Sequence, residues 1–526
     1  MEAMASAWTE AIGFPTPLAA REWEGLIVRR SDMKSIAKTL ALLAMAATGP
    51  VLIQAQISNF RHIVIIFQEN RTPDNLFQGL CGQTRSQCPT PYDVRNYGFD
   101  NKGHKIQLQK VPLGSGYIGS GYTHDGFVTM CHLDKTTNEC KMDGLSSTGC
   151  GTNPVTCAFL YVDPSDVAPY ITMARQYGWA NFMFQTNQGP STSAHQFIFG
   201  GTSAPSASDD AEATFVAEND KPTNPLGCLA PLDAVYLMIS PQTAPGEFKL
   251  INNPLGTICF SRDTMATLLD NHNPKLSWKY YTPGNNHIWT APILIKKICG
   301  PNQDFTECTG TEWTDSVDLN PTDVLTDIGA CKLRNVIWVI PAGQNSDHPP
   351  RSTGGPSWVS SIVNKIGTST CTDMVDGKTL TYWQDTAIFI TWDDWGGWYD
   401  HEPPTLLSVA REGQGDYQYG FRVPLVAISA FLGLHSEGIC RQPSTRLWEH
   451  SAVYRTQLRH SGGCAQLRGP TCHNRSHRVF ELNHLPRKFS VIQAPLGEEF
   501  FLNDKRPMEP PDTDWRSGGA IPLTSD

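Results

Sequence analysis

Two adjacent aspartates, Asp393 and Asp394, directly follow an apolar run in the stretch "TAIFITWDDWGGWYDHEPP". Carboxylates at the end of a buried segment repel one another and lose hydration, which is costly unless a cation lies between them. Carboxylate, amide and imidazole groups are ligands that divalent cations accept. The pair therefore predicts part of a metal site, with an ordinary loop or capping role as the alternative.

Two other segments place similar groups after apolar runs. "HIVIIFQEN" ends on Glu69 and Asn70, and "NVIWVIPAGQNSDHPP" leads to Asp347 and His348. Each residue by itself is typical of a loop, but the same placement in three segments favours a shared cation. We therefore predict one divalent metal, of unassigned identity, held by Glu69, Asn70, His348 and the two aspartates.

A reactive hydroxyl is predicted at Ser191, in "QGPSTS" after a glycine and a proline. A serine beside a metal can lose its proton and attack phosphorus, giving a covalent intermediate that water later resolves. The same serine could instead cap a helix, and a helix start is predicted at Ser193.

These groups need elements that deliver them to one place. Apolar runs that are not amphipathic suit central strands of a parallel sheet covered by helices, and ligands bind at the carboxyl ends of such strands. Strands are predicted over Ile63–Phe67, Phe182–Phe184, Val336–Ile340 and Ile388–Trp392, and helices over Asp166–Trp179 and Ser357–Gly367. The sequence thus predicts an α/β protein.

The chain has 526 residues, 40% of them hydrophobic, and a formal net charge of −10, which argues against nucleic-acid binding. From Met33, two lysines, a short apolar run and small residues near Ala55 predict a secretory signal peptide over 33–56 rather than a membrane anchor. Residues 1–32 then read as an over-called start, and 57–526 as one exported domain, secreted or periplasmic.

Cysteine usage agrees with export, because even numbers at short spacings favour disulfides in such proteins. Twelve of the 15 cysteines fall into six neighbouring pairs: Cys81/Cys88, Cys131/Cys140, Cys150/Cys157, Cys228/Cys259, Cys299/Cys308 and Cys331/Cys371. Connectivity cannot be read from spacing alone.

Several of these motifs, in order over about 370 residues, resemble the bacterial and fungal phosphoesterases that include non-haemolytic phospholipase C and a group of acid phosphatases. The similar segments are "HIVIIFQENRTPDNLFQGL", "FMFQTNQGPSTSAHQFIFGGTS", "SDHPP", "TWDDWGGWYDHEPP" and "YGFRVPLVAIS". The resemblance implies an alkaline-phosphatase-like fold, with a mostly parallel sheet between helices and a phosphoserine mechanism.

Carried over to this chain, the resemblance implies Ser191 as nucleophile and His124 as the group that meets the substrate or protonates the leaving oxygen. It implies metal ligation by Glu69, Asn70, Ser191, His348, Asp393 and Asp394. His195 and His287 are weaker candidates for substrate contacts. Asp400 and His401 are expected to lock the Gly-Gly turn rather than to act in chemistry.

Two departures from the family pattern matter. Ser193, Ala194 and His195 stand where many members have Pro-Asn-Arg, so His195 is the candidate substitute for a phosphate contact. Between about Ala430 and Leu485 the chain is rich in histidine and arginine, without lysine. A shifted reading frame explains that segment better than a metal-binding insertion, whose spacings would fit no standard zinc site.

The predicted function is therefore metal-dependent hydrolysis of phosphate esters, with a phospholipid or a small phosphomonoester as substrate. A phospholipid substrate would bring transient contact with a membrane surface. A sulfatase would need a different nucleophile context, and a two-zinc phosphatase more histidine and aspartate ligands. A non-catalytic secreted binding protein of the same fold remains the alternative.

Overall fold

A computed structural model describes residues 60–81, 92–115, 123–134, 136, 139–147, 158–218, 227–230, 235–240, 249–252, 259–285, 287–349, 353–375, 377–404, 406–407, 417–432 and 485–508. The expected signal peptide, the upstream extension and most of the anomalous segment lie outside these ranges. Within the described ranges, no helix is long and apolar enough to cross a membrane.

Seven strands form the central sheet. We number them β1 to β7: His62–Gln68, Gly178–Trp179, Trp278–Tyr281, Val317–Asp318, Val336–Val339, Thr386–Trp392 and Leu425–Ile428. Their order across the sheet is β4-β3-β5-β1-β6-β7-β2. The five adjacent strands β4, β3, β5, β1 and β6 are parallel to one another, and β7 is antiparallel to both of its neighbours, β6 and β2. The predicted α/β class with a mostly parallel sheet is confirmed.

The two central strands, β1 and β6, are buried along their whole length. Their β-branched and aromatic side chains suit a pleated surface that is covered on both faces. Parallel pairing aligns Ile65 with Phe389 and Gln68 with Trp392. The two strands therefore leave the sheet at the same level, a point that determines the site.

Four longer helices are labelled α1 to α4: His124–Cys131, Ala168–Gln176, Ser191–Gly200 and Gly355–Gly367. On one face of the sheet, Phe199 of α3 packs its ring 5.2 Å from Trp338 and 5.4 Å from Tyr280. Elsewhere Tyr170 of α2 meets Trp392 edge-on at 5.2 Å. Aromatic burial of this kind fixes each helix against its strand.

Shorter elements surround this sheet. The other helices are Pro73–Leu76, Ala207–Ala211, Met265–Asn271, Lys296–Cys299, Thr311–Ser316, Asp323–Gly329, Tyr382–Asp385 and Glu498–Leu502. The other strands are Tyr97–Phe99, Lys105–Gln107, Gln109–Val111, Leu133–Asp134, Glu139–Cys140, Leu160–Val162, Phe215–Val216, Val235–Ile239, Lys249–Asn252, Thr372–Val375, Lys378–Thr381, Leu406–Leu407 and Tyr417–Gln418.

Two sequence expectations need correction. The strand expected over Phe182–Phe184 is absent: the strand there is Gly178–Trp179, and Phe184 makes only an isolated bridge to Arg422. Asn181 explains the break, because its side chain accepts hydrogen bonds from the Trp179 indole and the Asp93 backbone, which holds the chain in a turn. The helix α2 ends at Gln176 instead of continuing to Trp179, because Gly178 and Trp179 pair with β7 as a strand.

Four of the predicted cysteine pairs are disulfides: Cys131–Cys140, Cys228–Cys259, Cys299–Cys308 and Cys331–Cys371. The two remaining predicted pairs involve residues outside the described ranges. The bridges are distributed over distant parts of the chain, as expected for a protein that matures in an oxidising compartment.

Candidate active site

The ends of β1 and β6 bring three carboxylates together. Because Gln68 and Trp392 are paired in register, Glu69 and Asp393 leave the sheet side by side. The backbone N–H of Asp393 donates to the Gln68 carbonyl (3.0 Å), and that of Asn70 donates to Asp393 Oδ1 (2.9 Å). This crossed pairing holds both loops in one geometry.

The turn after Asp394 requires glycine. Gly396 has φ +66, and a Cβ there would lie 2.4 Å from the Asn70 carbonyl oxygen. Its N–H donates to Asp394 Oδ1 (2.7 Å), while the Trp398 indole donates to the Asn70 carbonyl (3.0 Å). Asn70 itself has φ 59, a left-handed conformation that asparagine tolerates better than most residues. The Gly-Gly segment thus fits against the first loop.

Ser191 reaches the same place from another element. It is the first residue of α3, is 1% exposed, and donates its Oγ–H to Asp394 Oδ2 at 3.1 Å. The helix predicted to start at Ser193 begins at Ser191 instead. A helix N-terminus presents backbone N–H groups and a positive dipole end, which together favour an anion such as phosphate.

His195 lies one helical turn beyond Ser191, on the same face of α3. Its Nε2 is 3.1 Å from Glu69 Oε1 and 3.8 Å from Asp393 Oδ2. Ligand atoms of Glu69, His195 and Asp393 all lie within 4.8 Å of one another, and all three side chains are buried. The family resemblance implied His195 only as a substrate contact. The four-residue spacing places His195 on the same face of α3 as Ser191, but no sequence signal places that face against the carboxylates.

The electrostatics of this cluster favour a cation. Burial, followed by the charges of Asp393 and Asp394, raises the pKa of Glu69 well above its ordinary value. Burial and the Asp393 charge likewise raise the pKa of Asp394. Burial lowers the pKa of His195 to about 4, so the imidazole is neutral and contributes no charge at neutral pH. Negative charge is left without compensation from this histidine.

Three buried acceptor atoms accept no hydrogen bond within the described part of the chain: Glu69 Oε2, Asn70 Oδ1 and Asp393 Oδ2. Buried polar atoms almost always have a hydrogen-bond partner, so three neighbouring acceptors without one need an explanation. Carboxylate and amide oxygens are the donor set of a hard or borderline divalent cation. The residues present therefore fit the metal that the sequence motifs imply.

Other predicted residues lie around this centre. His348 is 7% exposed, and its Nδ1–H donates to the Pro349 carbonyl (2.5 Å), which leaves Nε2 as the lone-pair nitrogen of the neutral ring. Its ring is 6.0 Å from Trp289, and Trp289 in turn is 6.4 Å from His195. His348 thus lies in the next layer of packed rings, and the three-residue cluster does not include it.

His124 begins α1 and contacts the loop that precedes α3. Its Nδ1–H donates to the Gln188 carbonyl (3.2 Å), and its backbone N–H donates to Glu218 Oε1 (2.9 Å). Burial lowers the pKa of His124, so its protonated form is favoured only at acidic pH. Glu218 was not singled out from the sequence, because nothing in its local pattern marks it.

His287 is not part of the three-residue cluster of Glu69, His195 and Asp393. Burial lowers its pKa to about 4, with the Pro283 backbone as its hydrogen-bonding neighbour. The described contacts of His287 are with its own loop, which includes Gly284.

A second buried ionic network supports the turn from below. Arg422 donates from Nε to Asp400 Oδ1 (2.7 Å) and from Nη2 to Asp400 Oδ2 (3.1 Å). His401 contacts Asp74 through Nδ1 (2.7 Å) and Asp93 through Nε2 (3.2 Å). Arg422 and His401 alternate with the three aspartates in this network, so each of these carboxylates has a cationic donor beside it. This arrangement fits the structural role expected for Asp400 and His401.

The family model described as "Phosphoesterase family" matches residues 60–456, and the chain belongs to that family. The match ends inside the unusual segment that starts near residue 430. Among curated proteins, the chain is 21% identical over 468 residues to a non-hemolytic phospholipase C of Pseudomonas aeruginosa, covering 81% of this chain and 59% of that protein.

Two relatives from Mycobacterium tuberculosis match over shorter stretches. Phospholipase C A is 25% identical and phospholipase C B 28% identical, each over 130 residues, or 21% of this chain. The chain covers 23% of the length of each of these two relatives.

The His401 network predicts a pH-dependent stability. Burial alone would lower the pKa of His401, but the Asp74 charge and the hydrogen bonds to Asp74 and Asp93 raise it from 6.5 to about 9. Because the folded pKa is raised, the stabilisation is complete below about pH 6.5 and is lost as pH rises through 9. The shift corresponds to roughly 3 kcal/mol.

Urea unfolding of the parent and of His401→Gln at pH 6, 8 and 9.5 measures this contribution. His401→Gln should have a lower free energy of unfolding than the parent at pH 6, and this difference should be smaller at pH 9.5. A difference that stays the same at all three pH values would show that the network does not depend on an imidazolium.

Proposed function

We propose that the protein is a metal-dependent phosphoester hydrolase that works through a phosphoserine on Ser191. The observation that carries the proposal is the hydrogen bond from Ser191 Oγ to Asp394 Oδ2, made at the N-terminus of α3 beside the buried carboxylates. That bond orients the hydroxyl and places an acceptor for its proton. A phosphoryl group in front of Ser191 would meet the positive end of α3.

Glu69, Asn70, Asp393 and Asp394 would hold the cation, with Ser191, His195 and His348 as further candidate ligands. When bound, a divalent ion neutralises charge that develops on phosphoryl oxygens and lowers the pKa of a hydroxyl near it. Asn70 contributes an amide oxygen whose position is fixed, because the neighbouring backbone is bonded to Asp393 and Trp398.

The chain's own groups account for the proton movements. Ser191 Oγ forms the new bond to phosphorus, its proton passes to Asp394 Oδ2, and the bond to the leaving alcohol breaks on the opposite side. His124, when protonated on both ring nitrogens, would give its Nε2 proton to that alcohol, since its Nδ1–H is occupied by the Gln188 carbonyl. Because burial lowers the pKa of His124, acidic pH favours this step. Water then attacks the phosphoserine in the reverse geometry and gives a proton to His124 Nε2, the bond from phosphorus to Ser191 Oγ breaks, and Asp394 returns its proton to Ser191.

Two further proposals concern the whole protein. The five parallel strands, with the candidate site at their carboxyl ends, support an alkaline-phosphatase-like fold. The four disulfides support export to the periplasm or the medium. A frame shift in the 430–485 segment would remove a structural helix and leave all the proposed catalytic residues in place.

Ser191→Ala should lower turnover of p-nitrophenyl phosphate by about 10³-fold or more while leaving the fold intact, because the attacking oxygen is lost. Ser360→Ala is the matched control: Ser360 is also a buried helical serine, bonded to the Pro356 carbonyl in α4. Activity of Ser191→Ala close to that of the control would refute the nucleophile. Inactivity of the untreated parent would favour a non-catalytic binding protein.

Asp393→Asn should lower both metal content and turnover, the latter by orders of magnitude. The substitution keeps Oδ1 as the acceptor for the Asn70 N–H, so a merely structural aspartate would tolerate it well. Elemental analysis measures the metal content and a p-nitrophenyl phosphate assay measures the turnover. Both are applied to the parent, to Asp393→Asn and to the control Asp304→Asn, whose side chain is exposed. Equal metal and equal turnover in parent and variant would end the metal assignment.

The substrate proposal is tested on phosphatidylcholine vesicles. Three relatives carry the name phospholipase C, which supports a phospholipid substrate. Release of diacylglycerol, abolished by a chelator and by Ser191→Ala, is the expected result. Hydrolysis of phosphomonoesters alone would assign an acid phosphatase instead.

A further inference from the structure

A second group of metal-ligand side chains lies at the opposite, amino-terminal edge of the sheet. His62 is the first residue of β1, and Asp385 immediately precedes β6, whose first residue, Thr386, pairs with His62. Asp373 comes from the hairpin formed by Thr372–Val375 and Lys378–Thr381. One ligand atom from each of His62, Asp373 and Asp385 lies within 4.8 Å of the other two.

The hydrogen bonding of His62 is unusual because both ring nitrogens face acceptors. Nδ1 is 2.7 Å from the Arg334 carbonyl oxygen, and Nε2 is 2.8 Å from Asp373 Oδ2. Only an N–H can bond a carbonyl oxygen, so Nδ1 carries the proton of the neutral ring. The lone pair of Nε2 then faces a carboxylate, which requires a second proton or a metal ion between them.

Asp385 adds an independent observation. It is 0% exposed, and neither of its carboxylate oxygens has a described donor in good hydrogen-bonding geometry. Burial raises its pKa, and its own backbone N–H and the Thr386 side chain are the smallest of the opposing influences. The Arg61 guanidinium pairs with Asp373 Oδ1 at 3.1 Å and is half exposed, so it offsets the charge of Asp385 only in part. Leaving a buried carboxylate unpaired is costly, and Asp385 presents an acceptor within 4.8 Å of ligand atoms of His62 and Asp373 without a well-placed donor among the described residues.

We propose that His62, Asp373 and Asp385 form a second divalent-cation site, structural in role and suited to Zn²⁺. One imidazole and two carboxylates are a donor set that zinc accepts. An Nδ1–H donated to a backbone carbonyl is the usual way in which a metal-binding histidine is held with Nε2 toward the ion. The site would join the starts of β1 and β6 to the Thr372–Thr381 hairpin.

This inference does not depend on the proposed function. The seven residues of β1 separate the two ends of the sheet by roughly 20 Å, at about 3.3 Å per residue. The two sites share no ligand, so each can be removed without touching the other. Asp385 and His62 have no place in the proposed hydrolytic machinery.

The test uses the full chain, stripped with a chelator, re-equilibrated with Zn²⁺ and analysed for zinc per chain. The parent should bind two ions, Asp385→Asn one, Asp393→Asn one and the double variant none. Exposed Asp315→Asn, on the helix Thr311–Ser316, should behave as the parent. Zn²⁺ should raise the unfolding temperature of Asp393→Asn but leave that of the double variant unchanged.

If Asp385→Asn binds as much zinc as the parent, the second site is overturned. In that case a proton alone holds His62 to Asp373, and the substitution removes no metal ion. If Asp393→Asn binds two zinc ions while Asp385→Asn binds one, the second site is supported and the assignment of Asp393 to an active-site metal is wrong. His62→Gln repeats the test should Asp385→Asn fold poorly. X-ray absorption at the zinc edge of Asp393→Asn should show one imidazole ligand, and a purely oxygen shell would also overturn the site.

Discussion

The structure depends on the parallel pairing of β1 with β6. Because Gln68 and Trp392 are level in the sheet, the residues that follow must leave it together, and those residues are Glu69 and Asp393. The same register that buries two apolar strands also brings like charges into contact. The pairing of β1 with β6 therefore both stabilises the sheet and causes the repulsion between Glu69 and Asp393 at its carboxyl edge.

The repulsion between these carboxylates is opposed by hydrogen bonds and close contacts that hold the surrounding loops in place. Asn70 adopts a left-handed conformation, Gly396 fits against its carbonyl, and Arg71 holds the Asp347 carbonyl with Nε (3.0 Å) and Nη2 (2.7 Å). Each contact joins two loops from different strands. Such cross-bracing keeps the carboxylates close although they repel, which is the preorganisation that a metal-assisted reaction needs.

The sequence was sufficient for the parts of the site that follow a strand directly. Apolar runs that end in polar groups mark the carboxyl ends of parallel strands, and Glu69, Asn70, Asp393 and Asp394 lie at one such edge. Ser191 could be placed beside Asp394 only through the fold, since the loop before α3 follows the irregular segment that broke the expected strand. The position of His195 at the carboxylates depends on how α3 lies over β1, which no local pattern contains.

Three buried acidic clusters in the described part of the chain differ in whether their carboxylates have donors, and that difference separates a structural role from a chemical one. Around the Gly-Gly turn, Arg422 and His401 provide donors for Asp74, Asp93 and Asp400, so the network is internally satisfied. At the carboxyl edge, and again at the amino edge beside His62, buried carboxylate oxygens lack such donors among the described residues. Burial alone does not identify a metal site, because all three clusters are buried. The decisive feature is that these oxygens lack donors among the described residues, since an unpaired buried carboxylate must either take up a proton or meet a cation from outside the chain.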